Sequence, residues 1–113
     1  MGSRQVIEER QAEDPALQEL LKFLDLAMER REDLVPSVPV DNAWHRLLED
    51  PAAYRELCRR RYGAVPGHDG GRTDIAAPYA RTRALMTERF GTIDPSLWPD
   101  DAAAGCGVRA PQD

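Results

Sequence analysis

His45 and Glu49 stand one helical turn apart in Val40-Asp41-Asn42-Ala43-Trp44-His45-Arg46-Leu47-Leu48-Glu49, and His68 follows in a stretch rich in glycine and proline. An imidazole and a carboxylate at i and i+4 share one face of a helix. Zinc takes His and carboxylate ligands in a tetrahedral set, and such a pair supplies two of them. His45, Glu49 and His68 are therefore the candidate metal ligands, with zinc or iron as the ion. Asp69 and Cys58 are further candidates. Asp41 lies one turn before His45, but its better-supported role is to cap the helix. With only 2 His in 113 residues, a structural reading is preferred to the metal. In it His45 bonds the 64–70 loop, or His68 itself, because a buried polar group needs a partner.

The other reactive groups have plainer readings. Cys58 lies beside Arg55, Arg59, Arg60 and Arg61, and positive neighbours lower a thiol pKa. Yet it shares an apolar stripe with Tyr54 and Leu57, which favours a buried, inert thiol with no base beside it. Trp44 can stack on a ligand or partner, but a large core side chain is the expected role. Arg55, Arg59 and Arg60, with Arg61, Arg81, Arg83 and Arg89, make two helices basic on part of their surface. That face suits an acidic partner, or pairs with Glu49, Glu56 and Glu88. A net charge of −5 argues against nucleic acid and anionic membranes as partners.

Helices must position these groups. Asp14-Pro15 is a helix start, and Leu17, Leu20, Leu21, Leu24 and Met28 recur at helical spacing, with Phe23 and Ala27 widening the stripe. This predicts a helix from about 15 to about 32. Pro36 and Pro39 make 34–39 a short extended link. Asp41 then caps a second helix, with Val40 as a hydrophobic staple. Asp50-Pro51 breaks or restarts it, and Gly63 closes it. Residues 64–73 read as a loop. Thr73 or Asp74 caps a last helix carrying Ile75, Tyr79, Thr82, Leu85, Met86 and Phe90, which ends at Gly91. Ile93, Leu97 and Trp98 are placed to fold back on the bundle. No strand is expected.

The chain divides into a polar extension over 1–13, a helical domain over 14–99, and a tail over 100–113 expected to be acidic and disordered, with little to bury. No segment has the apolar length of a signal peptide or a membrane span. Two cysteines make no disulfide framework, so a cytoplasmic protein with reduced thiols is expected.

Several of these pieces occur in a recognisable order. They are Val40-Asp41-x-Ala43-Trp44-His45, Tyr54-x-x-x-Cys58-x-x-x-Tyr62-Gly63, His68, then Tyr79-x-x-Thr82-x-x-Leu85-x-x-x-Arg89-Phe90-Gly91 and Leu97-Trp98-Pro99. This order resembles the small bacterial members of the glycine-rich-domain-containing-protein family, over roughly residues 15–99. Members often show His-His-Pro where this chain has Val65-Pro66-Gly67-His68-Asp69, and their Gly- and Cys-rich tails are reduced here to Gly105-Cys106-Gly107. The resemblance implies a compact helical domain and little about activity.

The expected fold is all-α: a small irregular bundle of three to four helices. The core is expected to hold Leu20, Leu21, Leu24, Met28, Trp44, Leu47, Leu48, Tyr54, Leu57, Leu85, Met86 and Phe90. Nothing assembles a nucleophile, a base and an orienting group. The leading functional reading is a non-enzymatic interaction module with an unknown protein partner, or a second copy, at Trp44, Arg55, Arg59 and Arg60. The alternatives are a metal-binding protein using His45 and His68, and a precursor modified at Cys106.

Overall fold

Asp14 opens the first helix as its sequence implies. In the computed structural model, which describes residues 14–109, the Asp14 carboxylate accepts from the backbone N–H groups of Ala16 and Leu17 at 3.0 and 3.3 Å. Expectations for 1–13 and 110–113 lie outside the described residues. Helix α1 spans Pro15–Arg30 and buries Leu17, Leu20, Leu21, Phe23, Leu24, Leu26 and Ala27. It stops short of residue 32 because Arg31 turns left-handed, at φ 56°. Its backbone N–H bonds Ala27 O, and its side chain bonds Met28 O at 3.1 Å, satisfying carbonyls at the helix end.

Residues 32–36 form no helix or strand, and the expected extended link is shorter than 34–39 because Pro39 lies in the next helix; Leu34 and Val35 are fully buried. The backbone N–H of Val35 donates to Thr82 Oγ1 at 3.0 Å, which ties this link to the last helix. Helix α2, Val38–Leu48, begins a turn earlier than expected. Ser37, not Asp41, is the cap: its hydroxyl accepts from the Val40 N–H at 3.2 Å. Pro39 fits in the first turn, where no N–H is needed. Asp41 is thereby left inside the helix with its carboxylate available, and Val40 becomes a buried helical residue rather than a staple.

Asp50-Pro51 starts a new helix. Asp50 caps α3, Pro51–Tyr62, by accepting from Ala53 N–H, and Gly63 ends it at φ 72°. Helix α4, Ala76–Phe90, has Ile75 at its cap and no side-chain capping bond, so neither Thr73 nor Asp74 serves there. α1 packs against α2 and α4, and α2 packs against α3.

The core centres on aromatic rings around α1. Phe23 packs on Trp44 and Trp98 at centroid distances of 6.0 and 6.1 Å. Trp98 folds back as its position suggests and is fully buried; its indole N–H donates to Glu19 at 3.1 Å. Of the expected core, Met28, Leu48 and Phe90 are only half-buried. Phe23, Leu26, Leu34, Val35, Val40, Tyr79 and Trp98 take comparable or deeper places.

The fold is mostly helical but not wholly so. Gly67–Asp69 forms β1 and Gly107–Arg109 forms β2, paired antiparallel with His68 opposite Val108. Three-residue strands are too short to show alternation in a sequence, so periodicity gave no sign of them. The stretch expected to be a tail from residue 100 thus carries backbone pairing over its described part: Val38 N–H donates to Ala102 O at 2.7 Å and Ala104 N–H to Pro36 O at 3.0 Å.

Candidate metal centre

Asp41 and His45 lie one turn apart on the same face of α2, and both point to the place where β1 and the segment before β2 meet. Their partners arrive from elsewhere in the chain. His68 Nε2 lies 2.9 Å from Asp41 Oδ1, His45 Nε2 lies 3.1 Å from Asp41 Oδ2, and the two Nε2 atoms are 3.1 Å apart. The Cys106 thiol completes the group: one ligand atom from each of Asp41, His45, His68 and Cys106 lies within 4.8 Å of all the others. Asp41 is buried, His68 and Cys106 are half-buried, and His45 is exposed, so the cluster opens to solvent on one side.

Local physics explains why these groups meet. Tyr54, on α3, donates its hydroxyl proton to Pro66 O at 2.6 Å and accepts from the Trp44 indole N–H at 3.3 Å. That pair draws the 64–69 loop against α2. The Trp44 ring meets the His68 ring edge to face at 4.6 Å and fixes its plane. On the other side, Gly105 and Gly107 flank Cys106. A Cβ at Gly105 would stand 3.0 Å from the Arg72 carbonyl oxygen, so a larger residue would have to push that backbone back by a few tenths of an ångström. Arg72 N–H donates to Gly105 O at 2.8 Å and holds the approach.

The arrangement can serve as a ligand set, though its ligand atoms spread over up to 4.8 Å. Zinc bonds to imidazole nitrogen at about 2.0–2.1 Å and to thiolate sulfur at about 2.3 Å, which separates tetrahedral ligands by roughly 3.3–3.6 Å. The N···N and N···O spacings here are slightly shorter than that. Two imidazole nitrogens aimed at each other and at one carboxylate are poorly served by hydrogen bonds alone, since the protons between them cannot satisfy all three contacts together. A cation held between them could satisfy all of them. Burial, and then the charge of Asp41, pushes the Cys106 thiol up to about 11. The thiol is therefore protonated in the metal-free site, and its proton must leave before sulfur can bind a metal.

The residues singled out in the sequence divide sharply. His45 and His68 come together. Glu49 does not join them: it is the exposed C-terminal cap residue of α2 and lies outside the cluster. Asp41 supplies the carboxylate instead. It was obscured by its plausibility as a cap, and Ser37 three residues into the proline-rich link was the sign that another cap was present. Asp69 pairs with Arg109 at 3.3 Å and lies outside the cluster. Cys58 is buried and free, and burial pushes its thiol up to about 11, which fits the inert reading. Cys106, read from the sequence as a tail residue, was recoverable only as the thiol of a Gly-Cys-Gly triplet.

Trp44 is fully buried and offers no surface to a partner. Arg55, Arg59 and Arg60 are exposed on α3. Arg61, Arg81, Arg83 and Arg89 pair with acids not foreseen: Arg61 with Asp25 through two bonds of 2.7 Å, Arg81 with Glu32, Arg83 with Asp100 and Arg89 with Glu29. No described helix is long and apolar enough to cross a membrane. Set against protein-family profiles, curated proteins and solved structures, the chain matches none.

Proposed function

We propose that this chain is a small metal-binding protein whose centre, Asp41, His45, His68 and Cys106, takes one divalent transition-metal ion, zinc before iron. The observation that carries this is the convergence of four ligand atoms, from three separate segments, within 4.8 Å of one another. The donor set chooses the ion. One thiolate, two imidazoles and one carboxylate suit zinc or another borderline-soft metal. Calcium and magnesium prefer oxygen ligands, of which the cluster has a single carboxylate. Four protein ligands leave no vacant position in a tetrahedral set, which favours a structural over a catalytic metal. A thiolate ligand requires reduced cysteine, in keeping with a cytoplasmic setting. The likeness in motif order to the glycine-rich-domain-containing proteins is proposed as kinship and adds no activity.

The test is metal content. Protein purified without chelator, loaded with excess zinc and desalted, is expected to retain about one equivalent, and His68→Ala far less. Wild-type protein that keeps no metal after this treatment would sink the reading. Intact mass separates the metal reading from the modified-precursor alternative: a mass equal to the sequence mass supports Cys106 as a ligand, and an added group on Cys106 supports the precursor.

A second reading has its own observation. Arg55, Arg59 and Arg60 stand exposed on one helix of an acidic protein. They suit an acidic surface on a protein partner. Recovery of the same partner by wild type and by an Arg55→Glu, Arg59→Glu double variant would exclude that face.

A further inference from the structure

We infer that the metal centre, taken as the metal site just proposed, is a clamp whose occupancy decides whether the C-terminal segment 100–109 stays docked on α2 and β1.

The segment has a firm root and a weakly held length. Its root is Trp98, fully buried against Phe23, with Pro99 O accepting a hydrogen bond from Tyr79. Past Pro99 there is little to bury. Ala104 and Gly107 are the buried residues, and Ala102, Ala103, Gly105, Cys106 and Val108 are half-buried. What holds this stretch otherwise is backbone pairing: with Pro36 and Val38 on one side, with Arg72, and with β1. Such bonds replace bonds to water and contribute little net stability each. The segment's two ion pairs, Arg109 with Asp69 and Arg83 with the highly exposed Asp100, lie at the surface, and such pairs contribute little. Cys106 is the one residue of the segment that reaches a site able to make a strong bond.

The other three ligands stand outside the segment. Asp41 and His45 belong to α2, which packs on α1 and α3, and His68 to β1, which pairs with β2 but is also held by the Tyr54 bond to Pro66 O and by the Trp44 ring. A metal bound to all four therefore ties this segment to the body of the protein through a single sulfur. Without that tie the segment is left with its weak contacts. Its release uncovers two backbone edges, β1 and the 36–38 stretch, which are then open to an added extended strand.

The experiment is hydrogen exchange on the full chain, zinc-loaded and chelated, with metal content measured on each sample. The clamp predicts that amide protection over 102–109 falls roughly tenfold or more on zinc removal, returns on zinc addition, and is unchanged in α1 and α4. Cys106→Ala, which leaves the three other ligands, is expected to show the low protection even when zinc is present. One equivalent of zinc with unchanged protection of 102–109 overturns the clamp and leaves the metal site standing. Loss of protection throughout α1 on zinc removal also overturns it, because the metal then holds the whole domain rather than one segment. Absence of bound zinc fails the metal reading and the clamp together.

Discussion

The α1 core and the corner formed by β1, β2 and the start of α2 are built by different means. Around α1, leucines at helical spacing and the rings of Phe23, Trp44 and Trp98 exclude water, and every contact adds apolar area. At the corner, glycines, short backbone pairings and four polar ligand atoms do the work. The core is redundant, since neighbouring side chains share its burial. The corner is not: each of its four ligands comes without a substitute. One region should thus lose stability gradually on mutation, and the other should lose the proposed metal all at once.

The largest effect expected is at the root of both regions. Trp98→Ala empties a fully buried indole site and is expected to cost about 3–5 kcal/mol, read by urea unfolding, with or without metal. A loss smaller than about 1 kcal/mol would mean that Trp98 is not the anchor its burial indicates. Next is Asp41→Asn. Removing partners of metal ligands already costs ten- to a hundredfold in affinity, so loss of a ligand carboxylate is expected to cost roughly a hundredfold or more. Helix content by circular dichroism should not change, because Asp41 does not cap α2. An Asp41→Asn protein that unfolds α2 but keeps its zinc would reverse the two assignments.

Ser37→Ala is the converse. It removes the true cap and a bond to Leu97 O, with an expected loss of about 1–2 kcal/mol and zinc content unaltered, measured by thermal unfolding and metal analysis on the same sample. The smallest effect is expected for Glu49→Ala, an exposed cap-end residue. It should change stability by no more than about 0.5 kcal/mol and leave zinc affinity unchanged in a competition titration. A clear drop in affinity would restore Glu49 as a ligand and weaken the contrast between the two ends of α2.

Local signals in the chain were legible where they were periodic or proline-marked. Asp14-Pro15 and Asp50-Pro51 both open helices, and Gly63 and Gly91 both close them. The start of α2 was misplaced because Asp41 and Ser37 are both competent caps, and a single sequence does not say which N–H groups need an acceptor. The candidate site was half legible. His45 and His68 stand out because histidine is scarce in this chain. Glu49 and Asp41 are symmetric about His45 in sequence, one turn to either side, and only the path of the loop distinguishes them.

The sequence by itself determined four helices' worth of amphipathic pattern and the break at Asp50, since these depend on neighbours a few residues away, and it showed that histidine is scarce. The tertiary structure alone decided that Asp41 faces His68 and that Cys106 reaches them. Those contacts join residues 27 and more positions apart, and they depend on the Tyr54 bond to Pro66 O and on the close passage at Gly105. Neither the pairing of β1 with β2 nor the approach of a thiol to a carboxylate leaves a periodic trace. Such contacts are set by where the helices have already placed the loops, which is a property of the packed chain and not of any one stretch of it.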